Sequence, residues 1–381
     1  MNNEPMKLQN ILITGGAGFI GSNLALRLVA QGHRVTVLDN LSPQIHSADS
    51  PLLAAIRDKV DLIRGDVRNR EDWLRALAGQ HAIVHLAAET GTGQSMYEIA
   101  RYVDVNVNGT ALMLDILANQ PHEVCKLLVA SSRSLYGEGK ARCPEHGDVY
   151  PRERADADMK SGDFSVKCPI CGVRATTLAT DEGSRLHPSS IYGITKHTQE
   201  QLILTAGRSL GIAATALRYQ NVYGPGQSLS NPYTGILSIF STRMRNGNGI
   251  NVFEDGLESR DFVYIDDVID ATVLALLSER ADHRVFNVGS GVATDVLTVA
   301  RTLRDVYSSR VEVNVTGNYR LGDIAHNYAD LGAIREALGF APKVDFAEGV
   351  RRFANWVLGQ EVAVDTYQQS IEEMKKRGML N

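Results

Sequence analysis

Short apolar runs alternate with stretches of helical periodicity along most of the chain. The apolar runs occupy residues 10–14, 34–39, 60–67, 82–88, 126–130 and 212–218. Helical periodicity is present at residues 22–31, 106–119 and 190–209. Continuous apolar runs are typical of strands buried on both faces, and the periodic segments are typical of the helices that cover them. The pattern predicts an α/β fold with a Rossmann-type, doubly wound parallel sheet that binds ligands at its strand C-termini.

Three glycines lie between the first predicted strand and the first helix. Gly15, Gly18 and Gly21 allow a tight turn and let the backbone approach a pyrophosphate at the helix N-terminus. Asp39 ends the second strand, 18 residues after Gly21, where a carboxylate bonds both ribose hydroxyls of NAD. No arginine directly follows it, which favours NAD over NADP. The alternative for Asp39 is a carboxylate that only caps a loop.

The next strand ends also carry candidate residues. Asp66 ends the third run and is placed to meet the adenine amino group. Leu86, Ala87 and Ala88 end the fourth, and two of them are small enough to let a cofactor lie close. His85 is either a ligand or a hydrogen-bonded core histidine, and its apolar strand favours the core.

Tyr192 and Lys196 stand four residues apart in a predicted helix and therefore share one face. A cation beside a phenol lowers the phenol pKa, and such a tyrosine can pass a proton to and from a sugar hydroxyl. Ser132 follows the fifth strand, where its hydroxyl can bridge that proton. The alternative for the Tyr192–Lys196 pair is a solvated helix face.

Taken together, these motifs resemble those of the extended short-chain dehydrogenase/reductases, in the NAD-dependent nucleotide-sugar epimerase/dehydratase family. The resemblance covers about residues 8–358 and rests on Gly15-x-x-Gly18-x-x-Gly21, Asp66-Val67, Leu86-Ala87-Ala88, the runs 131–137, 218–226 and 260–267, Tyr192-x-x-x-Lys196, and Gly322-Asp323. It implies tightly bound NAD, a nucleoside-diphosphate (NDP) sugar as substrate, and Ser132, Tyr192 and Lys196 as the catalytic set.

The resemblance also implies further contacts. Besides the residues above, the cofactor would be held by Phe19, Ile20, Asn40, Val67 and Asn106. The NDP-sugar would be held by Ser132, Asn221, Gln227, Asn231, Phe253, Arg260, Arg320 and Asp323. Two alternatives remain for the arginines: Arg260 pairs with Asp261 or Asp266, and Arg320 is only solvated.

Arg133 and Ser134 follow Ser132, where dehydratases of the family carry Asp-Glu. Neither is a carboxylic acid, so elimination of water lacks its acid and base. Removal and return of one hydride at C4 needs only the catalytic set. The sequence therefore favours an isomerase, a 4-epimerase that acts through a transient 4-keto sugar. The alternatives are an NDP-sugar dehydratase or decarboxylase and a non-catalytic NAD-binding protein.

An insertion spans about residues 138–186. It contains Cys143-x-x-His146 and Cys168-x-x-Cys171, and this spacing matches a structural zinc site of the zinc-knuckle type. The polar stretch between them lacks the apolar residues for a core, so a metal would stabilise it. The alternatives are free thiols with a surface histidine, and a disulfide between Cys168 and Cys171.

The Cys-Pro-x-Cys-Gly run at 168–172 and the segment 227–235 resemble a subgroup described as dTDP-L-rhamnose 4-epimerases. This resemblance implies conversion of dTDP-L-rhamnose to dTDP-6-deoxy-L-talose. The alternative within the same chemistry is a UDP-glucose/UDP-galactose 4-epimerase.

Composition narrows the class of partner. The 381-residue chain is 44% hydrophobic, carries a net charge of −5 and has no block of like charge, so neither nucleic acid nor a membrane surface is expected as a partner. No apolar run is long enough to span a bilayer, and the polar N-terminus is unlike a signal peptide, which predicts a cytoplasmic protein.

The same pattern predicts how the chain is divided. We expect an NAD-binding domain at 1–188, and the catalytic helix with the NDP-sugar lobe at 189–381, the two interleaving. A last helix within 364–381 should pack on the body or on a second subunit. The resemblance implies a homodimer through a four-helix bundle of helices 106–118 and 190–209.

Overall fold

The computed structural model describes residues 8–46, 51–231, 235–320 and 322–378. Its strands are β1 Asn10–Thr14, β2 Arg34–Asp39, β3 Asp61–Arg64, β4 Ala82–His85, β5 Lys126–Ser132, β6 Ala141–Cys143, β7 Gly147–Val149, β8 Thr176–Thr177, β9 Ala213–Tyr219, β10 Asn221–Tyr223, β11 Ile250–Val252, β12 Ser259–Tyr264, β13 Val285–Val288, β14 Ala293–Asp295, β15 Val313–Val315 and β16 His326–Asn327. Its α-helices are α1 Phe19–Ala30, α2 Pro51–Ile56, α3 Arg70–Leu77, α4 Thr92–Ser95, α5 Ile99–Tyr102, α6 Gly109–Asn119, α7 Asp156–Lys160, α8 Ile191–Leu210, α9 Ile236–Arg245, α10 Ile265–Leu277, α11 Val296–Val306, α12 Gly332–Leu338, α13 Phe346–Leu358 and α14 Tyr367–Lys376.

Seven strands form one parallel sheet in the order β13-β9-β5-β4-β1-β2-β3. After β3, at one edge of the sheet, the chain returns to form β4 on the other side of β1. The connections on the two sides of β1 therefore run in opposite directions, which creates a topological switch point. This arrangement confirms the predicted doubly wound parallel sheet. Two of its strands, β9 and β13, come from beyond residue 188.

Both faces of the sheet are covered, because alternate strand residues point to opposite sides. On β1, Ile11 and Ile13 pack in one apolar cluster with Leu24 of α1 and Val268 of α10. Leu12 packs in the other cluster, with α3, α6 and α8. Burial on both faces explains why these strands contain continuous apolar runs.

The predicted bounds differ from the observed ones mainly at strand ends. The fourth strand ends at His85 because Leu86 and Ala87 turn out of the sheet and donate from their amides to Thr14, over 3.1 and 3.2 Å. The third strand likewise ends at Arg64 instead of residue 67. The predicted helix 106–119 begins earlier, as a π-helical turn over Val103–Asn108 that continues α5 into α6.

The remaining elements form the smaller lobe and the insertion. In the lobe, β10, β12, β14 and β16 make one sheet, and β11 pairs with β15. The insertion contributes the antiparallel strands β7, β6 and β8. The last helix, α14, packs on the lobe as predicted, since Tyr367 lies 4.3 Å from the Arg243 guanidinium; residues 379–381 lie outside the described part.

Within the described ranges, no helix combines the length and the apolar character needed to cross a bilayer.

Candidate active site

A cleft of about 740 Å³ lies at the carboxyl ends of β1, β4 and β5. Most residues predicted to hold the cofactor line it: Gly15, Gly18, Phe19, Ile20, Gly21, Asp39, Asn40, Val67, Leu86, Ala87, Ala88, Tyr192 and Lys196. Asp66 and Asn106 do not line it. The strand ends therefore form one long groove, and the glycine turn is part of its wall.

The glycine turn is tight enough to exclude side chains at two positions. Gly15 has a φ of +66°, and a Cβ there would lie 2.9 Å from the Ala87 backbone. A Cβ on Gly21 would lie 2.5 Å from the Gly15 carbonyl oxygen. The helix α1 N-terminus therefore sits directly against the turn, which leaves its amides facing the groove.

Asp39 lines the cleft and also holds its wall. Its carboxylate accepts from the amides of Ala17 at 3.0 Å and Leu41 at 2.9 Å. Asp39 thus caps the loop, as in the alternative interpretation, and it also lines the groove. The two roles are compatible, because a carboxylate has four lone-pair directions.

The structure places Asp66 and Asn106 behind the groove. Asp66 accepts from Arg68 and Asn40, and the Arg68 guanidinium lowers the pKa of Asp66 to about 2. Asn106 is fully buried, where it bonds the Glu89 backbone and donates to the Thr195 hydroxyl at 3.0 Å. Asn106 therefore does not face the groove, where it was expected to contact the cofactor. Its position in the helix turns its side chain inward, where it stabilises the cleft wall.

Ser132, Tyr192 and Lys196 meet at the same end of the cleft. Ser132 is the last residue of β5, its hydroxyl accepts from Ser134 Oγ at 2.9 Å, and the same hydroxyl acts to lower the pKa of the Tyr192 phenol. Lys196 Nζ donates to the Ala130 carbonyl at 2.8 Å, and burial lowers the pKa of Lys196 to about 7. The three side chains can thus pass a proton from a bound hydroxyl into the protein.

The prediction that Lys196 lowers the pKa of Tyr192 is wrong for this structure. Burial raises the pKa of Tyr192, and the groups that oppose the rise are the Ser132 hydroxyl and the Arg133 guanidinium. Lys196 reaches the neighbouring strand instead, because its long side chain finds the Ala130 carbonyl there.

Arg133 lines the cleft, although the sequence had indicated only that this position lacks a carboxyl group. No hydrogen bond or ion pair of its guanidinium occurs within the described residues. Burial and the charge of Arg260 lower its pKa, yet an arginine remains protonated at neutral pH. It supplies positive charge beside Tyr192, and its position directly after Ser132 was the available signal.

Helix α8 holds Tyr192 in place through contacts at both ends of its first half. Ser190 caps it by accepting from the Gly193 amide at 3.1 Å. Further along, the fully buried Glu200 accepts from Ser131 Oγ at 2.6 Å and from Arg218 Nη2 at 2.5 Å. These bonds fix the rotation of α8 against β5 and β9.

The predicted substrate residues fall into two groups. Ser132, Asn221, Gln227 and Asn231 line the main cleft, while residues 232–234 of the predicted sugar loop lie outside the described part. Phe253, Arg260, Arg320 and Asp323 lie beyond it, and Asp323 borders a neighbouring cavity of about 570 Å³.

The second group forms its own contacts. Arg260 donates to the carbonyls of Ile324 at 2.7 Å and Ala325 at 2.8 Å, so neither Asp261 nor Asp266 is its partner. Arg320 pairs with Asp323 at 2.9 Å and lies 5.2 Å over the Phe253 ring.

The Phe253 ring also packs against Ile371 and Tyr367 of the last helix. The Phe253 ring, which was expected to contact the NDP-sugar, is therefore partly covered by the chain itself. Local sequence patterns could not predict this contact, because α14 lies more than a hundred residues away in the chain.

Cys143, His146, Cys168 and Cys171 come together as predicted from their spacing. Their ligand atoms all lie within 4.8 Å of one another. Cys143 Sγ is 3.6 Å from both His146 Nδ1 and Cys171 Sγ, and Cys168 Sγ is 3.8 Å from His146 Nδ1. Ligands at zinc-bond lengths in a tetrahedron are separated by roughly 3.6–3.8 Å. All the cysteines are free, so the predicted alternative of a disulfide does not occur.

His85 is a core histidine, as its apolar strand predicted. Its two ring nitrogens bond Thr14 Oγ1 at 2.7 Å and Thr110 Oγ1 at 2.9 Å. Burial lowers its pKa to about 3, so it stays neutral.

Comparison with known proteins decides the family. The model of the NAD dependent epimerase/dehydratase family matches residues 11–154 and 170–289. The chain belongs to this family. The unmatched residues 155–169 lie within the insertion and include Cys168.

Several members of the epimerase/dehydratase family match nearly the whole chain. A dTDP-L-rhamnose 4-epimerase of Burkholderia thailandensis is 38% identical over 92% of this chain and 95% of its own. The solved UDP-glucose 4-epimerase of Thermotoga maritima, with UDP-glucose, has a TM-score of 0.76 at 29% identity over 92% of this chain and 99% of that one. The Thermus thermophilus UDP-glucose 4-epimerase, with NAD, has a TM-score of 0.73 at 27% identity over 92% and 99%. The predicted resemblance to the family and to the rhamnose subgroup is confirmed.

Proposed function

We propose that this protein is an NAD-dependent NDP-sugar 4-epimerase. The observation that carries the proposal is the meeting of Ser132, Tyr192 and Lys196 in the groove that also contains the glycine turn. A hydride acceptor and a proton acceptor would thereby face the same carbon. Its relatives in the family include epimerases that match the chain over more than nine-tenths of its length.

The residues of the cleft divide the work of an oxidation and its reversal. NAD, when bound, would supply reversible hydride transfer at C4 of the sugar. Tyr192 takes the proton of the C4 hydroxyl, with the Ser132 hydroxyl as bridge, and gives it back in the return step. Lys196 would bond the nicotinamide ribose, and Arg133 adds positive charge beside the phenol.

We propose contacts for the two ligands from the same geometry. NAD would lie along the glycine turn, Asp39 and Asn40, then Val67 and residues 86–88, with Asp66 near the adenine. The sugar would lie against Asn221, Gln227 and Asn231, and the nucleoside diphosphate against Arg260, Arg320, Asp323 and Phe253. The division into an NAD domain at 1–188 and an NDP-sugar lobe at 189–381 stays part of this proposal.

The substrate proposed is dTDP-L-rhamnose, with dTDP-6-deoxy-L-talose as product. The support for this substrate is the 38% identity with a dTDP-L-rhamnose 4-epimerase. The absence of a carboxylic acid at Arg133 and Ser134 supports epimerisation over elimination of water. The second candidate, UDP-glucose and UDP-galactose interconversion, is supported by the solved relative with UDP-glucose.

Incubation with dTDP-L-rhamnose, UDP-glucose and UDP-galactose, followed by NMR of the products, tests these substrates. We expect a C4 epimer of dTDP-L-rhamnose with no net formation of NADH. Epimerisation of the UDP-sugars alone would replace the rhamnose proposal by the second candidate. A 4-keto-6-deoxy product formed from UDP-glucose or UDP-galactose would show a dehydratase, and absence of turnover in NAD-loaded protein would show a binding protein.

We also propose that Cys143, His146, Cys168 and Cys171 hold a structural zinc ion. The donor set is closed, with three thiolates and an imidazole at tetrahedral separations, and the Ile170 amide donates to Cys168 Sγ at 3.5 Å. A closed set leaves no open position for a substrate. The role is therefore to hold the hairpin β6–β7 against the segment 168–171.

Metal removal should therefore destabilise the protein. Protein purified without chelators should contain about one zinc ion per chain, and its extraction should lower Tm by about 5 °C or more. Cys168→Ser should lose the metal, whereas Cys125→Ser, outside the cluster, should keep it. Elemental analysis and thermal melts measure both; metal-free wild type with an unchanged Tm would contradict the site.

The homodimer and the cytoplasmic location stay predictions. The helices expected at the dimer interface, α6 and α8, pack on each other within the chain. Nearby Ile99, Val103 and Ile194 are exposed apolar side chains, which suits a second copy as their cover.

A further inference from the structure

The insertion reaches the proposed nucleotide end of the substrate through one arginine. Arg154 is almost fully buried, with 3% of its side chain exposed, between Glu138 and Glu254. Its Nε lies 3.3 Å from Glu138, its guanidinium is paired with Glu254, and its Nη2 donates to the Asp323 carbonyl at 2.8 Å. A buried arginine with this many partners fixes the parts that it joins.

The backbone at 323–325 is held from two sides. On the insertion side, Arg154 bonds the Asp323 carbonyl, and Glu138 accepts from the Ala325 amide at 2.8 Å. On the lobe side, Arg260 donates to the carbonyls of Ile324 and Ala325. The position of Asp323 and the direction of the Arg260 guanidinium therefore depend on the same short segment.

A second tether joins the insertion to the residues just before this segment. The Tyr319 hydroxyl donates to Asp156 Oδ1 at 2.6 Å, and the Tyr319 ring lies 6.4 Å from that of Phe164. Arg320 follows directly and pairs with Asp323. Both ends of the stretch that carries Arg320 and Asp323 are thus fastened to the insertion.

The residues of the proposed metal site include the tip of the hairpin that separates Glu138 from Arg154. Glu138 precedes β6 and Arg154 follows β7, and the two strands pair from Ala141 with Val149 to Cys143 with Gly147. Cys143 and His146 are at the tip of this hairpin, where a metal would join it to Cys168 and Cys171. Without that joint, the hairpin that spaces Glu138 from Arg154 lacks an anchor at its tip.

We infer that Arg154 is a positioning residue through which the metal-held insertion sets the affinity for the nucleoside-diphosphate part of the substrate. The inference rests on the proposed epimerase function and on the proposed zinc site. It assigns the insertion to the diphosphate clamp and separates it from the hydride centre, because none of the residues named in these tethers lines the main cleft.

The test uses Arg154→Lys, which keeps the buried charge and removes the forked geometry. Titration of the NAD-loaded full chain with dTDP and with UDP should show Kd raised about tenfold for whichever nucleotide the wild type binds. KM for the sugar nucleotide should rise by the same factor, kcat should change less than about twofold, and bound NAD should stay at the wild-type level. Extraction of the metal from the wild type should also raise the Kd for the nucleotide. Extraction from Arg154→Lys should raise that Kd little further.

Arg142→Met is the matched control, because Arg142 lies on the same hairpin but pairs only with exposed Asp148 in the described structure. It should leave Kd, KM and NAD content unchanged. Unchanged Kd in folded, NAD-loaded Arg154→Lys overturns the inference, as does a fall in kcat at constant KM, or a loss of NAD together with nucleotide. If the wild type binds neither dTDP nor UDP, the proposed function itself fails.

Discussion

Tyr192→Phe is expected to lower kcat by about 100-fold or more while NAD and nucleotide still bind. The phenol is the proposed proton acceptor and lies near the Ser132 hydroxyl, and phenylalanine keeps its ring but removes its oxygen. Because the change removes a group needed in the reaction and not in binding, KM should stay nearly constant. Product formation followed by NMR or chromatography, with NAD content measured on the same sample, gives the result.

A matched control for this substitution is available in the neighbouring ring. Tyr102 lies 6.5 Å from Tyr192 in an edge-to-face contact, and its hydroxyl donates to the Thr90 carbonyl at 2.6 Å. Thr90 lines the cleft, whereas Tyr102 itself does not. Tyr102→Phe should cost stability but keep turnover within a few-fold of the wild type. Tyr192→Phe with more than half of the wild-type kcat would remove the phenol from the proton path.

The pH profile should show the same group. Burial raises the pKa of Tyr192, so its neutral form predominates at pH 7 and the phenolate fraction increases as pH rises. The kcat/KM of the wild type should therefore increase from pH 7 toward pH 9, and this limb should vanish in Tyr192→Phe.

Gly21→Ala is expected to remove most of the affinity for NAD. The added Cβ would lie 2.5 Å from the Gly15 carbonyl oxygen and 2.5 Å from the Gly16 Cα, so the turn must move away from α1. Such overpacking costs about 1–3 kcal/mol, and the moved turn no longer presents its amides to a pyrophosphate. Calorimetric titration with NAD should show Kd raised about 100-fold or more, with a lower Tm.

Gly93→Ala provides the comparison for a glycine without a close neighbour. A Cβ at Gly93, within α4, would meet no atom within 4 Å. Its substitution should leave NAD affinity unchanged and keep or slightly raise Tm. Wild-type NAD affinity in Gly21→Ala would show that the close approach of turn and helix is not needed for the cofactor.

The sequence predicted the parts of the site that depend on local order along the chain. Ser132 lies at the end of a buried strand, and Tyr192 lies in the first turn of a helix. A parallel sheet brings such positions to one edge. His85 was predicted as a core residue because it lies in an apolar run, and the cysteine pairs were predicted to meet from their spacing. Each of these predictions needed only a few neighbouring residues.

Contacts between distant parts of the chain could not be predicted in this way. The pairing of Arg154 with Glu254 and Asp323 spans 100 and 169 residues, and no periodicity relates those positions. Asn106 was expected at the cofactor, but the π-helical turn around it sets a register that turns it into the wall. The choice of Ala130 by Lys196 depends on which acceptor a flexible side chain reaches in the folded protein.

The buried bonds of Glu200 with Ser131 and Arg218 bear on how this scaffold can be re-engineered. They anchor the helix of Tyr192 from beneath the sheet edge, whereas Gln227 and Asn231 reach the cleft from a separate loop. With the sugar contacts proposed for Gln227 and Asn231, loop exchange between relatives would change which sugar is accepted without moving the Tyr192 phenol oxygen. A library confined to residues 227–231 explores selectivity, while one that includes Glu200 puts the chemistry itself at risk.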